Sequence, residues 1–242
     1  MPSVVYGTSR IGYSINRSRQ RTTAEVAVDP KKGVVVTCPQ DTSADQIEKI
    51  VLKKAPWILR KMKRLEEVAA EPPEREYVSG EAYYYLGRGY RLKVIEDETV
   101  YPYEAKLKAG RFLVRIPQNS DMHPREVMVS SALKSWFLGK AENRLRKRVD
   151  LYSPKVGVEP KGIIVKNQMK RWGTCTKDKV LYLNFRIIMA PMSVIDYVVV
   201  HELTHMNVND HSIEFWNNIR AVLPDYERRK DWLRINGPSL II

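Results

Sequence analysis

The segment from Val194 to His205 constrains the fold more than any other part of the chain. An almost wholly apolar run, Val194 to Val200, leads directly into the polar residues His201, Glu202 and His205. An apolar helix of this kind is buried on most of its sides, and a titratable group in a buried helix needs a partner. The chain must therefore fold around this helix and supply partners for its histidines, and a metal ion is one such partner.

The spacing of three histidines predicts a metal site. His201 and His205 are four residues apart, so on a helix their side chains lie on one face, a turn apart. Glu202 lies about 100 degrees further round, which suits a carboxylate beside the ion rather than bonded to it. His211 follows a turn rich in asparagine and aspartate and can reach back as the third ligand, with Glu214 as the alternative. Three ligands leave zinc an open position, so we expect one catalytic zinc ion per chain.

Two residue patterns predict where this helix begins. Pro191 stops the preceding element, and Ser193 with Asp196 three residues later forms a capping box. We therefore expect a helix from about Val194 to Met206. Its β-branched residues are unfavourable in an isolated helix, so burial must stabilise it.

Composition predicts a soluble, cytoplasmic protein. With 242 residues, 43% of them hydrophobic, the chain is long enough to bury a substantial core. Its two cysteines, Cys38 and Cys175, do not indicate a disulfide framework, and they suit a reducing compartment. The sequence contains neither a signal-peptide pattern nor a stretch long enough to span a membrane, so no membrane partner is expected.

The chain is also strongly basic. Its 41 Lys and Arg residues against 28 Asp and Glu residues give a net charge of +13, which is enough to attract phosphate-bearing partners. Non-specific binding of nucleic acid through this surface is one expectation, and a solvated surface without a dedicated partner is the other. The densest basic runs, Lys49 to Arg64 and Arg144 to Arg148, are both predicted to be amphipathic helices.

Hydrophobic periodicity predicts short strands followed by a helix in the N-terminal part. Four β-type segments separated by turn residues come first: Val4 to Tyr6, Gly12 to Asn16, Ala24 to Val28 and Val34 to Cys38. A helix then opens at Thr42 or Ser43 and runs to Leu65, and Pro56 is expected to kink or divide it. The proline-containing segment Glu71 to Glu74 is predicted to be a linker.

The rest of the chain is also predicted to contain both strands and helices. Its sequence shows no internal repeat. Further strands are predicted at Arg91 to Ile95, Phe112 to Ile116, Gly162 to Lys166 and Val180 to Ile188. Further helices are predicted at Pro124 to Tyr152, Ser212 to Val222 and Asp225 to Ile235.

Motifs spread along the chain resemble a known family of hydrolases. The C-terminal motifs are Arg171-Trp172-Gly173-Thr174-Cys175, Ile195 to His205, His211-Ser212, Phe215-Trp216 and Pro224-Asp225-Tyr226. Trp57-Ile58, Gly80-Glu81 and Tyr85-Leu86-Gly87 extend the match towards the N-terminus. Together these motifs are similar to those of the YgjP-like metal-dependent hydrolases, which are relatives of the SprT-like zinc peptidases.

The resemblance implies a fold, a ligand set and a catalytic residue. Combined with the predicted elements, it implies an α+β protein. Residues 1–75 form a β-rich region with a basic amphipathic helix, and residues 76–242 form a zincin-like hydrolase domain containing the H-E-x-x-H helix. The metal ligands carry onto His201, His205 and His211, and the catalytic glutamate onto Glu202. We expect zinc to activate a water that attacks a peptide or protein substrate, with Glu202 as the general base.

Two other classes of function remain open at this point. Members of the resembling family have been described as UTP pyrophosphatases, so a nucleotide is an alternative substrate, although the chain has no phosphate-cradling glycine loop. A nucleic-acid-binding protein with a structural zinc is the second alternative, and in it Glu202 has no chemical role.

Several residues near the motif have candidate roles. Arg171 and Asn184 are candidates for substrate binding, with a structural hydrogen bond as an equal alternative. The strand from Leu181 to Ile188 is either a free edge for an extended peptide or an internal strand. We interpret Cys175 and Trp172 as structural.

Overall fold

The chain is a mixed α+β protein that divides into two compact units, Met1–Ala69 and Ala70–Ile242. The computed structural model describes residues 1–29, 32–66, 74–118, 123–168 and 170–242. The linker expected at Glu71 to Glu74 lies, apart from Glu74, outside these described residues. Each unit has its own hydrophobic core.

The first unit is a four-stranded sheet covered by one helix. Its strands are β1 (Ser3–Tyr6), β2 (Ser9–Ser18), β3 (Glu25–Asp29) and β4 (Gly33–Pro39), in the order β1-β2-β4-β3. The central strands β2 and β4 run parallel, and each pairs with an antiparallel edge strand. The sheet and helix α1 (Ala44–Glu66) bury a shared apolar core that includes Ile11, Val36, Ile47, Val51 and Ile58.

Helix α1 begins with a capping box at one of the two residues that the sequence indicated. The backbone N–H of Gln46 donates to Oγ of Ser43 at 3.3 Å, and the backbone N–H of Ser43 donates to Oε1 of Gln46 at 2.9 Å. Pro56 does not divide the helix, which is continuous from Ala44 to Glu66. Burial of an apolar side chain at every turn, before and after Pro56, offsets the hydrogen bond that proline removes.

The second unit opens with the same topology as the first. Strands β5 (Ala82–Tyr85), β6 (Arg88–Glu96), β7 (Glu104–Lys108) and β8 (Arg111–Ile116) follow the order β5-β6-β8-β7, and helix α2 (Arg125–Val156) comes next. In both units the central strands are parallel and contain six residue pairs. The structure therefore contains a repeat of topology that was not apparent in the sequence. The two copies share a Pro-Gln pair near the end of their last strand, Pro39-Gln40 and Pro117-Gln118.

A three-stranded sheet then leads into the metal motif. Its strands are β9 (Gly162–Lys166), β10 (Gly173–Cys175) and β11 (Val180–Asn184), in the order β10-β11-β9. The predicted strand Val180 to Ile188 is too long, because a 3-10 helix (Phe185–Met189) follows β11. Oδ1 of Asn184 caps that helix by accepting a hydrogen bond from the backbone N–H of Arg186 at 3.1 Å. Since β11 is the central strand, the free-edge interpretation of this segment is wrong, and β10 and β9 are the two edge strands.

Three helices complete the second unit: α3 (Met192–Thr204), α4 (Ile213–Val222) and α5 (Tyr226–Asn236). Ten of the thirteen residues of α3 are buried, as its apolar composition predicts, and the helix packs against α2, α4 and α5. Within the described part of the chain, no helix is long and apolar enough to cross a membrane.

Helix α3 begins differently from the sequence prediction. Its first residue is Met192, and no side chain caps its first turn. Asp196 does not cap the helix with Ser193, because its carboxylate accepts hydrogen bonds from the guanidinium of Arg148 on α2 at 2.6 and 2.8 Å. The hydroxyl of Tyr152 donates to the same carboxylate at 3.0 Å. A bidentate charged pair is stronger than a neutral cap, so Asp196 joins α3 to α2.

Removing the carboxylate of Asp196 should destabilise the protein. In Asp196→Ala the guanidinium of Arg148, whose side chain is only 23% exposed, loses its counter-charge. Leaving a largely buried charge unpaired should lower the free energy of unfolding by about 3 kcal/mol. Urea denaturation followed by circular dichroism measures this loss.

Two further variants serve as controls. Asp231→Ala removes an ion pair of α5 whose carboxylate is 67% exposed, so it should cost less than about 1 kcal/mol. The double variant Arg148→Met, Asp196→Leu removes both charges and should regain most of the stability lost in Asp196→Ala. If Asp196→Ala costs no more than Asp231→Ala, the ion pair does not have the role assigned to it.

Candidate metal centre

Helix α3 presents the first two histidines of the motif at its C-terminal end. The backbone N–H of His205 still donates to the carbonyl of His201 at 3.3 Å, so helical geometry extends through both residues. Their rings lie on one side of the last turn, with centroids 4.9 Å apart. The chain then turns back, and the ring of His211 lies 5.1 Å from that of His201 and 4.8 Å from that of His205.

The ring nitrogens of the three histidines converge on one point. One nitrogen from each of His201, His205 and His211 lies within 4.8 Å of the others. Nε2 of His201 is 3.2 Å from Nε2 of His211, and two ligands of a tetrahedral zinc at about 2.0–2.1 Å from the ion are about 3.3 Å apart. This separation fits a shared metal ion.

The protein surroundings favour the neutral form of the His201 and His205 rings, because burial lowers the pKa of both. Burial, followed by the charges of His205 and His211, lowers the pKa of His201 to about 3. Nδ1 of His205 lies 3.1 Å from the carbonyl oxygen of Val208, which can only accept a hydrogen bond. Nδ1 therefore carries the hydrogen, and Nε2 keeps its lone pair for a metal. Neutral imidazoles of this kind are suitable ligands for zinc.

Two aromatic residues of α4 hold the histidines in place. The ring of Phe215 packs against all three rings, at centroid distances of 5.0 Å to His201, 4.5 Å to His205 and 4.8 Å to His211. Trp216 stacks on His211, and its Nε1–H donates to the carbonyl of His211 at 3.1 Å. The sequence analysis gave these aromatics no role. Their position four and five residues after the third histidine is the signal that points to them.

Glu202 lies beside the histidines without belonging to the ligand cluster. Its side chain is buried, with only 7% of the residue exposed, and burial raises the pKa of Glu202 to about 7. A hydrogen bond from the backbone N–H of Cys175 and the positive charge of Arg171 oppose this effect and lower the pKa. A carboxyl group balanced in this way can both take up and release a proton near neutral pH.

Strand β10 approaches Glu202 most closely at Gly173. A Cβ atom at this position would lie 2.6 Å from Cγ and 2.8 Å from both Cδ and Oε1 of Glu202. Only glycine therefore lets the strand lie against the carboxylate. The sequence analysis quoted Gly173 within a motif but did not identify this role.

A cleft of about 390 Å³ gives access to the histidines and Glu202. Strand β10 lines the cleft, together with the side chains of Arg171, Lys177 and Asn209. This strand is both an edge strand of its sheet and a wall of the cleft.

The free edge of β10 faces the cleft. Backbone hydrogen bonds join Asn184 to Trp172 and Thr176 to Val180, at 2.8 and 3.0 Å. Because bonded positions alternate along an antiparallel pair, the backbone groups of Gly173 and Cys175 point away from β11. The N–H of Cys175 reaches Glu202 from this side.

The two candidates for substrate binding lie in different surroundings. Arg171 is exposed and lines the cleft. Asn184 is fully buried, and its amide donates to the carbonyl of Gln168 at 2.6 Å and to that of Arg171 at 2.9 Å. Asn184 therefore holds the loop that carries Arg171, and of the two residues only Arg171 is open to a ligand.

The remaining candidates lie outside the ligand cluster. Glu214 is exposed on α4 and is not part of the group of potential ligands found among the described residues. Burial and the nearby charge of Glu202 raise the pKa of the Cys175 thiol, which disfavours a thiolate ligand or nucleophile. Trp172 packs against the core of the second unit.

The chain matches the family described as "YgjP-like, metallopeptidase domain" over residues 22–236. Because this match covers most of the 242 residues, the chain belongs to the YgjP-like family. The resemblance seen in the sequence motifs is thereby confirmed. A metallopeptidase domain implies a hydrolase with a catalytic metal, and among the described residues the three histidines form a group that could hold one.

Two solved structures are similar to part of the chain. One is the metallopeptidase zymogen abylysin of Pyrococcus abyssi, with 16% identity over 38% of this chain and 92% of that chain, at a TM-score of 0.35. The other is the metallopeptidase zymogen jannalysin of Methanocaldococcus jannaschii, with 24% identity over 40% of this chain and 97% of that chain, also at a TM-score of 0.35. No protein with a curated description matches the chain.

A methyl group at Gly173 should displace the carboxylate of Glu202. We expect Gly173→Ala to keep its metal affinity, because no ligand changes, but to lose about 100-fold in hydrolysis rate, as is typical of a catalytic group moved by about 1 Å. The rate per bound metal ion, measured on any substrate that the wild type cleaves, tests this.

Gly162→Ala is the matched control. It also adds a methyl group to this sheet, but its Cβ would lie 3.8 Å from the nearest atom of Val180, an ordinary contact. Its activity and melting temperature should match those of the wild type. A Gly173→Ala protein as active as Gly162→Ala contradicts the positioning of Glu202 by β10.

Proposed function

We propose that the chain is a zinc-dependent metallopeptidase with its zincin-like domain at residues 76–242. In this proposal His201, His205 and His211 hold the metal, and Glu202 is the general base. The observation that carries the proposal is the convergence of three imidazole nitrogens beside a buried carboxylate. Membership of the YgjP-like family supports it at the level of a metallopeptidase domain.

The chain's own residues supply the proton transfers. A zinc ion held by His201, His205 and His211 would supply a Lewis acid that activates water and polarises a carbonyl group. Glu202 accepts the proton of the water and passes it to the leaving amine. The N–H of Cys175 holds the carboxylate in place during both steps.

A peptide substrate fits the edge of β10. The N–H of Gly173 and the carbonyl groups of Gly173 and Cys175 face away from β11 and can pair with the main chain of an extended peptide, while the N–H of Cys175 stays with Glu202. Such pairing uses main-chain hydrogen bonds, so it accepts many sequences. It also brings the peptide past Glu202, because β10 lies directly against that side chain.

The cleft also supports a second candidate, a metal-dependent nucleoside triphosphate pyrophosphatase acting on UTP. Arg171 and Lys177 both line the cleft, and two cations beside a metal ion suit a triphosphate. A single screen of both substrate classes distinguishes the two candidates.

The Glu202→Gln variant tests the role of the base. The amide keeps the size of the side chain and cannot accept the proton, so hydrolysis should fall by at least about 100-fold while zinc content stays equal. Zinc-loaded wild type and variant are compared on unfolded peptides and on nucleoside triphosphates. The substrate class on which activity depends on Glu202 is the one the enzyme uses.

Glu214→Gln provides the control, because it changes an exposed carboxylate in the helix that follows His211. It should keep wild-type activity. Equal rates per bound zinc in the wild type and Glu202→Gln, on every substrate cleaved, rule out Glu202 as the base. Zinc binding without any hydrolysis supports the remaining alternative, a nucleic-acid-binding protein whose zinc is structural.

A further inference from the structure

The exposed face of helix α1 carries a row of cations around one tryptophan. From Lys49 to Leu65 the sequence contains seven Lys and Arg residues and neither Asp nor Glu. Three of these cations and one tryptophan recur at four-residue spacing, with Arg60 beside them: Lys49, Lys53, Trp57 and Lys61. Residues spaced in this way share one face of a helix. At a rise of about 1.5 Å per residue, the row is about 18 Å long.

The core of the first unit does not use this row. Helix α1 packs on its sheet through the opposite face, where Ile47, Val51, Ala55 and Ile58 are fully buried. The cations of the row are exposed, and Trp57 is 42% exposed. Among the residues that the structure describes, none forms an ion pair with the lysines of the row or with Arg60.

Arg60 is nevertheless held close to the helix. Its Nε–H donates to the carbonyl of Pro56 at 3.2 Å, one turn earlier and next to Trp57. The terminal nitrogens of the guanidinium remain available to a ligand that lies against the tryptophan.

Two of the four cations in the other dense basic run, Arg144 to Arg148, are engaged in the fold. Arg148 forms the ion pair with Asp196, and Arg146 donates to the carbonyl of Ile163 at 3.3 Å. Of the two dense basic runs, the basic face of α1 is therefore the one with the larger number of cations open to a partner.

We propose that this face, defined by Lys49, Lys53, Trp57, Arg60 and Lys61, binds single-stranded nucleic acid. The lysines and Arg60 contact phosphates, and the indole of Trp57 stacks on an unpaired base, the combination typical of proteins that bind single strands without sequence preference. A duplex keeps the faces of its bases stacked, so it offers nothing to Trp57. A membrane surface is disfavoured, because the apolar face that an amphipathic helix inserts into lipid is buried against the sheet.

The test is the binding of fluorescent oligothymidine and oligouridine strands to the full-length protein at low salt. Lys53→Glu, Lys61→Glu should weaken binding by at least about tenfold and reduce the salt dependence, since about 0.7 counterions are released per phosphate contact on single strands. Trp57→Leu should weaken binding by about tenfold with the salt dependence unchanged, because stacking is lost and charge is not.

Lys134→Glu, Lys147→Glu is the matched control. It makes the same change in net charge at exposed positions of α2 and should weaken binding by less than about threefold. If the two charge variants lose the same amount of binding affinity, the strand is attracted by the overall positive charge of the protein rather than by this face of α1. That result overturns the proposal.

The choice of ligand separates the remaining outcomes. Binding of one strand type in preference to the other supports the proposal and identifies the source as RNA or DNA. No association of the wild type with either strand at low salt overturns it, as does binding to phosphatidylserine vesicles without binding to either strand. This inference is independent of the proposed hydrolase site, because none of its variants changes a residue of the cleft.

Discussion

The burial of helix α3 is the constraint on which the second unit depends. Its run of valines excludes water from nearly every side, and the ion pair between Asp196 and Arg148 fixes it to α2. The same burial sets the chemistry at its C-terminal end. It lowers the pKa of His201 and raises that of Glu202, so a neutral imidazole lies beside a carboxyl group that titrates near neutral pH. Packing and proton affinity thus have a common cause.

Segments that are distant in sequence complete the site by close contact. Gly173 lets β10 lie against Glu202, and the N–H of Cys175 reaches the carboxylate from the same strand. From the other side, Phe215 packs against all three histidines, while Trp216 holds the third one by stacking and a hydrogen bond. The contact between Gly173 and Glu202 therefore both positions the carboxylate and brings the open edge of β10 next to it. In the proposed peptidase, this contact links substrate binding to catalysis.

The sequence predicted what depends on local spacing. The apolar run indicated a buried α3, and the four-residue spacing of His201 and His205 indicated a shared helix face. It did not predict features set by distant partners. Asp196 was expected to cap its own helix, but its partner Arg148 is 48 residues away in sequence. The edge position of β10 and the repeated strand order depend on sheet pairing, which periodicity within one strand does not encode. The alternation of apolar residues likewise predicted a strand as far as Ile188, but β11 ends at Asn184, which caps the 3-10 helix that follows.

The central claim is that the three histidines hold one metal ion, and zinc titration of metal-free protein against a competing chelator tests it most directly. The account predicts one zinc per chain in the wild type and in His123→Ala, whose histidine is exposed in a different pocket. It predicts that binding is lost in His201→Ala, His205→Ala, because one remaining ligand cannot hold the ion. Full zinc occupancy in this double variant, or no zinc bound by the wild type, would contradict the account.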